Sequence, residues 1–369
     1  MSSRSLRILV LGSLGPNQDR ILALSRLGHH LAYGYTEFHP NIIPLETEID
    51  CFAIPRRNAV PALARVAAEH EIQVIYSLLN AHDGSTEITI EILESSIDIP
   101  IVRHYKEHPC TPTFEERQVL LETAAQIYIN DESYTFFRDV YGCNASTAHI
   151  MDADMIAERY MGDQVTSKLS QRDGAPHLLV AGGLSAQNDR LDVRELCIEM
   201  NRRHVHVHLY GYMVGRNADS SPIFNDSGTR QIYERMAEDY QYVHLHGYIK
   251  PSSFSSVWSQ YDAGFMHARV APGSKEARFE QMNLPYRYTA YLAAGLPLVV
   301  FGKGQDAMER VVRQNGIGLV FSDYDDLAER LRDVKTLGDL STSVMDCKRL
   351  YTFESKAEDL VSILAVYAN

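Results

Sequence analysis

The sequence has 369 residues and a formal net charge of −13, and 45% of its residues are hydrophobic. This length exceeds what one typical hydrophobic core accommodates, so two domains are predicted, and the composition excludes a disordered or membrane-spanning chain. The acidic balance argues against a nucleic-acid partner, because that affinity comes mainly from Lys and Arg side chains at the phosphates.

Cysteine usage and the N-terminal segment predict a cytoplasmic protein. Five cysteines are present, widely spaced and without a CxxC pair, which is typical of free thiols in a reducing compartment. The segment MSSRSLRILVLG runs directly into a strand, so neither a signal peptide nor a transit peptide is expected. No apolar run approaches the roughly 18 residues that a membrane span requires.

In the first part of the chain, apolar strands alternate with helices, which predicts an α/β domain with a parallel, doubly wound sheet. Residues 6–11, LRILVL, form a buried strand that leads through Gly12, Ser13 and Gly15 into a helix at 17–27. Such a unit opens Rossmann-like domains, where the helix N-terminus can face an anion or a sugar. The turn does not read GxGxxG and gives no support to dinucleotide binding. Further strands are predicted at 30–35, 50–54, 73–79, 100–103 and 126–129, and further helices at 60–69, 86–95, 113–123 and 133–142.

Residues 163–176 lose this periodicity and gather Ser, Gln, Asp, Gly and Pro, which predicts an interdomain linker. The alternation then starts again and continues to the strand GLVF at 318–321. Two successive doubly wound domains are therefore expected, at 1–162 and 177–352, followed by a C-terminal helix at 353–369. The strands of the second domain are predicted from LLVAGG, VHVHLYG, VHLHGYI, AGFMHA, LPLVV and GLVF.

The stretch Asn283–Val300, NLPYRYTAYLAAGLPLVV, predicts a helix followed at once by a strand. Gly295 suits a left-handed helix C-cap, and Pro297 prevents the helix from continuing. The run Leu298–Val300 shows no polar alternation, as expected for a strand that is covered on both faces.

The order of these motifs resembles the C-terminal domain of GT-B glycosyltransferases, which are built from two Rossmann-like domains. The most specific part is YLAAGLPLVV at 291–300 together with HGYI at 246–249. The resemblance implies an acceptor domain at 1–162 and a donor domain at 177–352 that face each other across a cleft. It also implies that the helix at 353–369 crosses back to the first domain.

The resemblance is strongest to the retaining enzymes that use nucleotide sugars, and it implies a comparable reaction. A sugar would move from an activated donor, of the nucleotide diphosphate type, to a small-molecule or glycan acceptor, without a metal or another cofactor. A diphosphate leaving group needs positive partners and backbone N–H donors, which arginines, glycine turns and helix N-termini supply. The expected partners are the donor and the acceptor, and a homo-oligomer is left open.

The resemblance also assigns candidate donor contacts. The glycine pair after LLVA would border the donor phosphates, the GYI turn would hold the nucleobase, and the start of the PYRYTAYLAAG helix would face the donor. Each position has an ordinary structural explanation as well, as a tight turn, core packing or a solvated helix start. The donor-binding candidates are Gly182, Gly183, Arg190, Gly247, Tyr248, Ile249, Lys275, Glu280, Arg287 and Tyr288.

Several positions depart from the family pattern. Ala290 stands where the family often has a Glu that binds the ribose hydroxyls, and Met282 occupies a second acidic position. Gly183 and Asn188 stand where the first donor loop usually carries Arg and Lys. These departures leave three alternatives open: a donor that is a phosphosugar without a nucleoside, a sugar-nucleotide epimerase, and a catalytically silent sugar- or nucleotide-binding protein of the same fold.

In the first domain, His82 and His104 follow strand ends and are the catalytic candidates. An imidazole there could act as a base towards the acceptor or bind the transferred sugar, because its pKa suits proton exchange near neutral pH. Helix N-capping by Asp131 or Ser133 is an alternative to an acceptor contact at the start of the helix near residue 131. The acceptor-binding candidates are Gly12, Ser13, Gly15, Asp131 and Glu132.

The segment VHVHLYG is predicted to place His204, His206 and His208 on one face of a strand. Three imidazoles in a row suggest a metal site, but no carboxylate or cysteine accompanies them in the sequence. A strand with polar imidazoles is the preferred interpretation, and no metal ligand is assigned.

Overall fold

A computed structural model of the protein describes residues 5–12, 17–36, 49–55, 57–79, 85–106, 113–163, 166–187, 191–212, 227–266, 273 and 275–368. The chain forms two compact units. The first unit comprises Met1–Met155 and Phe353–Asn369, and the second comprises Ile156–Thr352. Across the described residues, no helix combines the length and the apolar character that crossing a bilayer demands.

The first unit contains a parallel sheet, for which the described residues supply seven strands in the order β3-β2-β1-β4-β5-β6-β7. Strand order reverses direction at β1, as in a Rossmann-like sheet, and this confirms the predicted fold class. The strands are β1 Arg7–Leu11, β2 His30–Thr36, β3 Asp50–Ile54, β4 Val74–Leu79, β5 Ile101–Tyr105, β6 Ala125–Tyr128 and β7 Ala148–Ile150. The helices are α1 Asn17–Arg26, α2 Val60–Glu69, α3 Ser85–Leu93, α4 Phe114–Glu122 and α5 Asp131–Tyr141.

Both faces of the first sheet are covered, which explains why its strands are almost continuously apolar. Along β1, Ile8 and Val10 belong to one core cluster and Leu9 and Leu11 to another. The cluster of Ile8 and Val10 includes residues of the helix Phe353–Tyr367, which packs against α1. The first unit is therefore closed on one face by a segment that follows the whole second unit in the chain.

The second unit contains a parallel sheet of six strands among the described residues, in the order β10-β9-β8-β11-β12-β13. The order again reverses at the first strand, β8. The strands are β8 His177–Ala181, β9 His206–Tyr212, β10 Val243–Ile249, β11 Ala263–Phe265, β12 Leu298–Phe301 and β13 Gly318–Phe321. The helices are α6 Ser170–Asp173, α7 Arg194–Arg202, α8 Ser227–Asp239, α9 Phe254–Trp258, α10 Lys275–Met282, α11 Arg287–Ala293, α12 Asp306–Asn315, α13 Tyr324–Arg332 and α14 Val334–Cys347, and α15 Phe353–Tyr367 follows in the first unit.

The structure differs from the sequence prediction at 163–176, which is not a free linker. Its described residues belong to the second unit, where they form α6 and where Leu169 N–H donates to Gln260 O at 2.9 Å. The Lys168 ammonium donates to Ser259 O and Tyr261 O at 2.9 and 2.6 Å. Polar composition concealed these contacts, because polar side chains make most of them: Thr166 and Ser170 also hydrogen-bond to Ser259 and Asp262 at 2.6 Å. Helices α10, α13 and α14 were also not predicted.

The turn at Gly295 forms as the sequence predicts. Gly295 has a φ of 72°, its N–H donates to Leu292 O, and Leu296 N–H donates to Tyr291 O. This pair of hydrogen bonds is the Schellman arrangement, which closes helix α11 before Pro297 starts the approach to β12. Strand β12 is buried along its whole length.

We predict that Gly318→Ala destabilises the second unit. A Cβ at this strand position would lie 2.1 Å from Leu298 O on the paired strand, so β12 and β13 would have to separate. We expect a loss of about 1–3 kcal/mol in the free energy of unfolding, measured by urea denaturation. As a control, Gly338→Ala, on an exposed position of α14 with no atom within 4 Å of the added Cβ, should gain about 0.5–1 kcal/mol. Equal effects of the two substitutions would contradict this account.

Candidate functional site

The strands of the second sheet are parallel, so their carboxyl ends all lie along one side of the sheet. We call this side the carboxyl edge, as distinct from the outer strands, and open parallel sheets bind ligands there. Gly182 lies there directly after β8, with a φ of 117° that favours glycine. Its N–H donates to Tyr210 O on the neighbouring strand at 2.9 Å, and Gly183 follows it half-buried. Gly182 itself is buried, so at this point of the edge it is the half-buried Gly183 whose backbone is partly exposed.

Strand β10 is irregular near the same edge. Its pairing with β9 shifts register between Leu245 and Tyr248, and Gly247 is exposed with open space where a Cβ would be. Tyr248 is half-buried, and burial raises its pKa. Ile249 is 8% exposed and packs in the core. Bulges redirect side chains, and here Gly247 is exposed and Tyr248 half-buried, whereas Ile249 is a packing residue.

Arg287 is the first residue of α11, and its side chain reaches the carboxyl edge. Its Nη1 donates to Met266 O at 2.6 Å, and Met266 directly follows β11. The adjacent Tyr288 is 1% exposed and packs edge-on against Tyr351, with ring centroids 5.8 Å apart. A donor contact for Tyr288 therefore does not fit its position in the core.

Two further positions bear on the carboxylate that binds ribose in the family and that this chain lacks. Ala290 is fully buried in the core of the second unit, so a side chain at this position packs rather than binds a ligand. Glu280 lies on α10 and is 2% exposed. Several candidates fall outside the described residues, or have side chains that do: Ser13, Gly15, His82, Arg190 and Lys275.

Tyr291 connects the two central strands where the strand order reverses. Strands β8 and β11 pair at Leu178–Leu179, and beyond this point the Tyr291 hydroxyl accepts a hydrogen bond from Ala181 N at 2.7 Å and donates one to Phe265 O at 3.0 Å. The Tyr291 ring occupies the space beside Gly264, where a Cβ would lie 2.4 Å from it. Sequence analysis named Tyr291 only as part of the helix motif and missed this role.

In the first unit, Gly12 follows β1 at the corresponding edge. Its φ is 148°, and a Cβ would lie 2.7 Å from Leu78 O, so only glycine fits the turn. Asp131 and Glu132 begin α5, exposed and half-buried respectively. The cap of this helix is Asn130, whose side chain accepts from Ser133 N at 2.7 Å, and not Asp131 or Ser133. Asp131 is thereby left at the helix start with its side chain in solvent.

The catalytic role predicted for His104 does not fit its surroundings, because the residue is fully buried. Its Nε2–H donates to Met151 O at 2.8 Å, and its Nδ1 accepts from the Tyr76 hydroxyl at 2.7 Å. The Tyr76 oxygen in turn accepts from Arg20. Burial, and next the charge of Arg20, hold the pKa of His104 well below its usual range. The imidazole is therefore neutral, and it links Met151 O to the Tyr76 hydroxyl inside the core.

The histidines of VHVHLYG are arranged differently from the prediction. His204 precedes β9 with a φ of 55° and stacks on Tyr242, so it does not share the strand face. His206 and His208 do share it. Burial, with neighbouring imidazoles, lowers the pKa of His206 and of His246 on β10 to about 4. The face of the sheet that carries these rings is thus largely uncharged at neutral pH.

Comparison with known proteins identifies the architecture. Residues 223–349 match the family model of the glucosyltransferase 3-like C-terminal domain. The fold is similar to that of sucrose-phosphate synthase from Thermosynechococcus elongatus, with a TM-score of 0.71, 13% identity, and coverage of 98% of this chain and 99% of that one. The chain has the GT-B fold. HepE of Anabaena, in complex with UDP, gives a TM-score of 0.68 at 14% identity, covering 98% of this chain and all of that one.

A glycosyltransferase from Rickettsia africae is also similar, with a TM-score of 0.70 at 9% identity over 99% of both chains. None of the curated proteins compared with the sequence matches it. The GT-B fold confirms the fold class that the sequence predicts, and the glucosyltransferase match supports glycosyl transfer as the type of reaction.

We predict that Tyr291→Phe destabilises the protein by about 1–3 kcal/mol, because the buried Ala181 N–H loses its acceptor and Phe265 O loses a donor. Urea denaturation measures the change. Tyr242→Phe removes a hydroxyl from a half-buried ring of the same unit and should change stability by less than about 0.5 kcal/mol. A Tyr291→Phe variant as stable as the control would show that the bridge contributes nothing.

The burial of His104 predicts a pH dependence of stability. Its pKa in the folded protein lies below that of the unfolded chain, so unfolding takes up a proton as the pH falls through about 6.5. The free energy of unfolding should therefore decrease from pH 7 to pH 5, by up to about 1.4 kcal/mol per pH unit from this residue. In His104→Gln the decrease should be shallower, as measured by urea denaturation at each pH. Parallel slopes for the two proteins would rule out this contribution.

Proposed function

We propose that the protein transfers a glycosyl group from a nucleoside diphosphate sugar to a small-molecule or glycan acceptor. The observation that carries this proposal is the match of residues 223–349 to a glucosyltransferase C-terminal domain. The match spans the β10 irregularity and the start of α11, two of the three places where ligand contacts are expected at the carboxyl edge. Free, buried thiols at Cys143 and Cys197 agree with a reducing, cytoplasmic environment.

A uridine nucleotide is the donor that we favour. HepE, which shares the fold, has structures in complex with UDP, with UDP and glucose, and with UDP-glucose. For this chain, the exposed backbone at Gly247 and the ring of Tyr248 suit a nucleobase, which needs hydrogen bonds at its edge and stacking on its face. Glu280, the carboxylate nearest in sequence to Met282, is our candidate for the ribose hydroxyls, and it would have to turn out of its buried position on α10 to bind them.

The diphosphate would lie between the backbone of the half-buried Gly183 and Arg287, because the N–H of Gly182 is already bonded to Tyr210 O. Backbone N–H groups and a guanidinium stabilise the negative charge that develops on a departing phosphate. Met266 O fixes one nitrogen of Arg287, so the guanidinium loses little freedom when it binds an anion. Arg190 and Lys275 are candidates for further positive contacts. Since these groups can balance the charge, we expect transfer to proceed in the presence of EDTA.

The acceptor would bind to the first unit, at the edge where Gly12, Asp131 and Glu132 lie. The exposed Asp131 carboxylate suits a hydrogen bond from an acceptor hydroxyl. With His104 buried, His82 is the catalytic candidate that remains from the sequence analysis. Retention of configuration is proposed from the shared architecture alone, and the anomeric configuration of the product tests it.

A panel of UDP, other nucleoside diphosphates, UDP-sugars and sugar phosphates tests the donor class by thermal stabilisation of the full chain. Ligand at about 100 times its dissociation constant should raise the stability by about 2.7 kcal/mol. We expect UDP and a UDP-sugar to stabilise, with sugar release or transfer in an acceptor screen. Stabilisation by sugar phosphates alone would favour the phosphosugar alternative, interconversion of two UDP-sugars would favour an epimerase, and binding without turnover would favour a silent binding protein.

Arg287→Ala should weaken UDP binding by about tenfold or more, because a charged hydrogen bond contributes about 1.5–3 kcal/mol. Arg287→Lys keeps the charge and should recover part of the affinity. Arg313→Ala removes an exposed arginine of the same unit that pairs with Glu309, and it should leave the affinity unchanged. Calorimetric titration of the three variants measures these effects. Unaltered UDP affinity in Arg287→Ala would remove this residue from the site.

A further inference from the structure

The second sheet carries a side-chain cluster at its amino edge, the edge at which its strands begin. His177 is the first residue of β8 and His206 the first residue of β9, and the two are register partners with parallel rings 4.3 Å apart. Asp173, the last residue of α6, lies beside the Nε2 atoms of both rings. Its Oδ2 is 2.9 Å from His177 Nε2 and 3.7 Å from His206 Nε2.

This geometry matches a metal-binding group. Among the described residues, one ligand atom from each of Asp173, His177 and His206 falls within 4.8 Å of the other two. Ligands at about 2.0–2.1 Å from a tetrahedral zinc ion are separated by about 3.3 Å. The two distances from Asp173 Oδ2, 2.9 and 3.7 Å, bracket this value, and binding would require the two parallel rings to tilt so that both Nε2 lone pairs meet at one ion. Asp173 is exposed, which provides an entry path and room for a water ligand.

The second nitrogen of each imidazole is already occupied. His177 Nδ1 lies 2.8 Å from His208 Nε2, and His206 Nδ1 lies 2.7 Å from His244 Nε2. Metal-binding imidazoles usually donate their other N–H to a fixed acceptor, which sets the tautomer and the direction of the free lone pair. With an ion bound, the acceptors would be His208 and His244, and the next histidine, His246, lies 2.9 Å from His208 Nδ1.

We propose that Asp173, His177 and His206 form a binding site for a divalent transition metal such as Zn²⁺. Two imidazoles and one carboxylate suit Zn²⁺, Co²⁺ or Ni²⁺, whereas Ca²⁺ and Mg²⁺ prefer ligand sets made of oxygen alone. The site lies at the edge opposite to the proposed donor contacts, and it joins α6 to β8 and β9. The ion therefore stabilises the second unit and takes no part in transfer.

The test uses the full chain without an affinity tag, stripped with EDTA and transferred to metal-free buffer. Titration with Co²⁺ should give visible absorption bands that saturate at one ion per chain, and Zn²⁺ should displace them. Zn²⁺ should also raise the thermal unfolding midpoint of the stripped protein. Absence of a saturable Co²⁺ spectrum, together with no change of the midpoint with Zn²⁺, would overturn the proposal.

Variants test which residues are the metal ligands. Asp173→Asn changes an exposed residue without altering its shape, and His206→Gln removes one imidazole; each should weaken Co²⁺ binding by at least about tenfold. His204→Asn, two residues from His206 and outside the cluster, suits the left-handed backbone there and should bind as the unaltered chain does. Equal affinity in all three variants would refute the assignment. Because metal binding is the readout, its failure leaves the proposed donor site untouched, and loss of UDP binding leaves the metal site untouched.

Discussion

The second unit depends on one interaction, the pair of hydrogen bonds through which Tyr291 joins β8 and β11 where the strand order reverses. At such a point the loops after two adjacent strands run to opposite faces, which opens a crevice that ligands occupy. Here the Tyr291 hydroxyl connects the last backbone groups of β8 and β11, and its ring requires glycine at position 264. The backbone at Gly182 directly follows the residue that Tyr291 contacts on β8, and Arg287 contacts Met266, which directly follows the residue that Tyr291 contacts on β11. The helix that supplies Tyr291 is itself closed by the turn at Gly295.

The two edges of this sheet carry different chemistry, because the residue pattern changes along the strands. Near the amino edge, β9 alternates His with Val and Leu, so one face is apolar and the other carries imidazoles that satisfy each other's hydrogen bonds. Near the carboxyl edge, glycines and a change of register expose the backbone instead. Anions are suited to the second environment and transition-metal cations to the first. One sheet can thus serve binding at one end and stabilisation at the other.

Much of the fold was accessible from the sequence, since alternation of apolar strands with helices, and the Gly295–Leu-Pro turn, are local signals. The site was accessible only in part. Strand ends could be located, but not whether a residue such as His104 points into the core, since that depends on Arg20 and Tyr76 from other elements. For Tyr288, too, the sequence did not show whether the side chain faces a ligand or the core. The carboxylate beside His206 was missed because it comes from Asp173, in a polar segment whose composition indicated a linker.

The helix α15 completes the core of the first unit although the whole second unit precedes it in the chain. During synthesis, the second unit can therefore be fully formed while the first still exposes the apolar surface on which Phe353 and Leu360 will pack. Domains generally fold as units when their chain is complete, so the order of maturation is the reverse of the order of translation. Until helix α15 has emerged from the ribosome, the first unit exposes this apolar surface to chaperones and to other nascent chains.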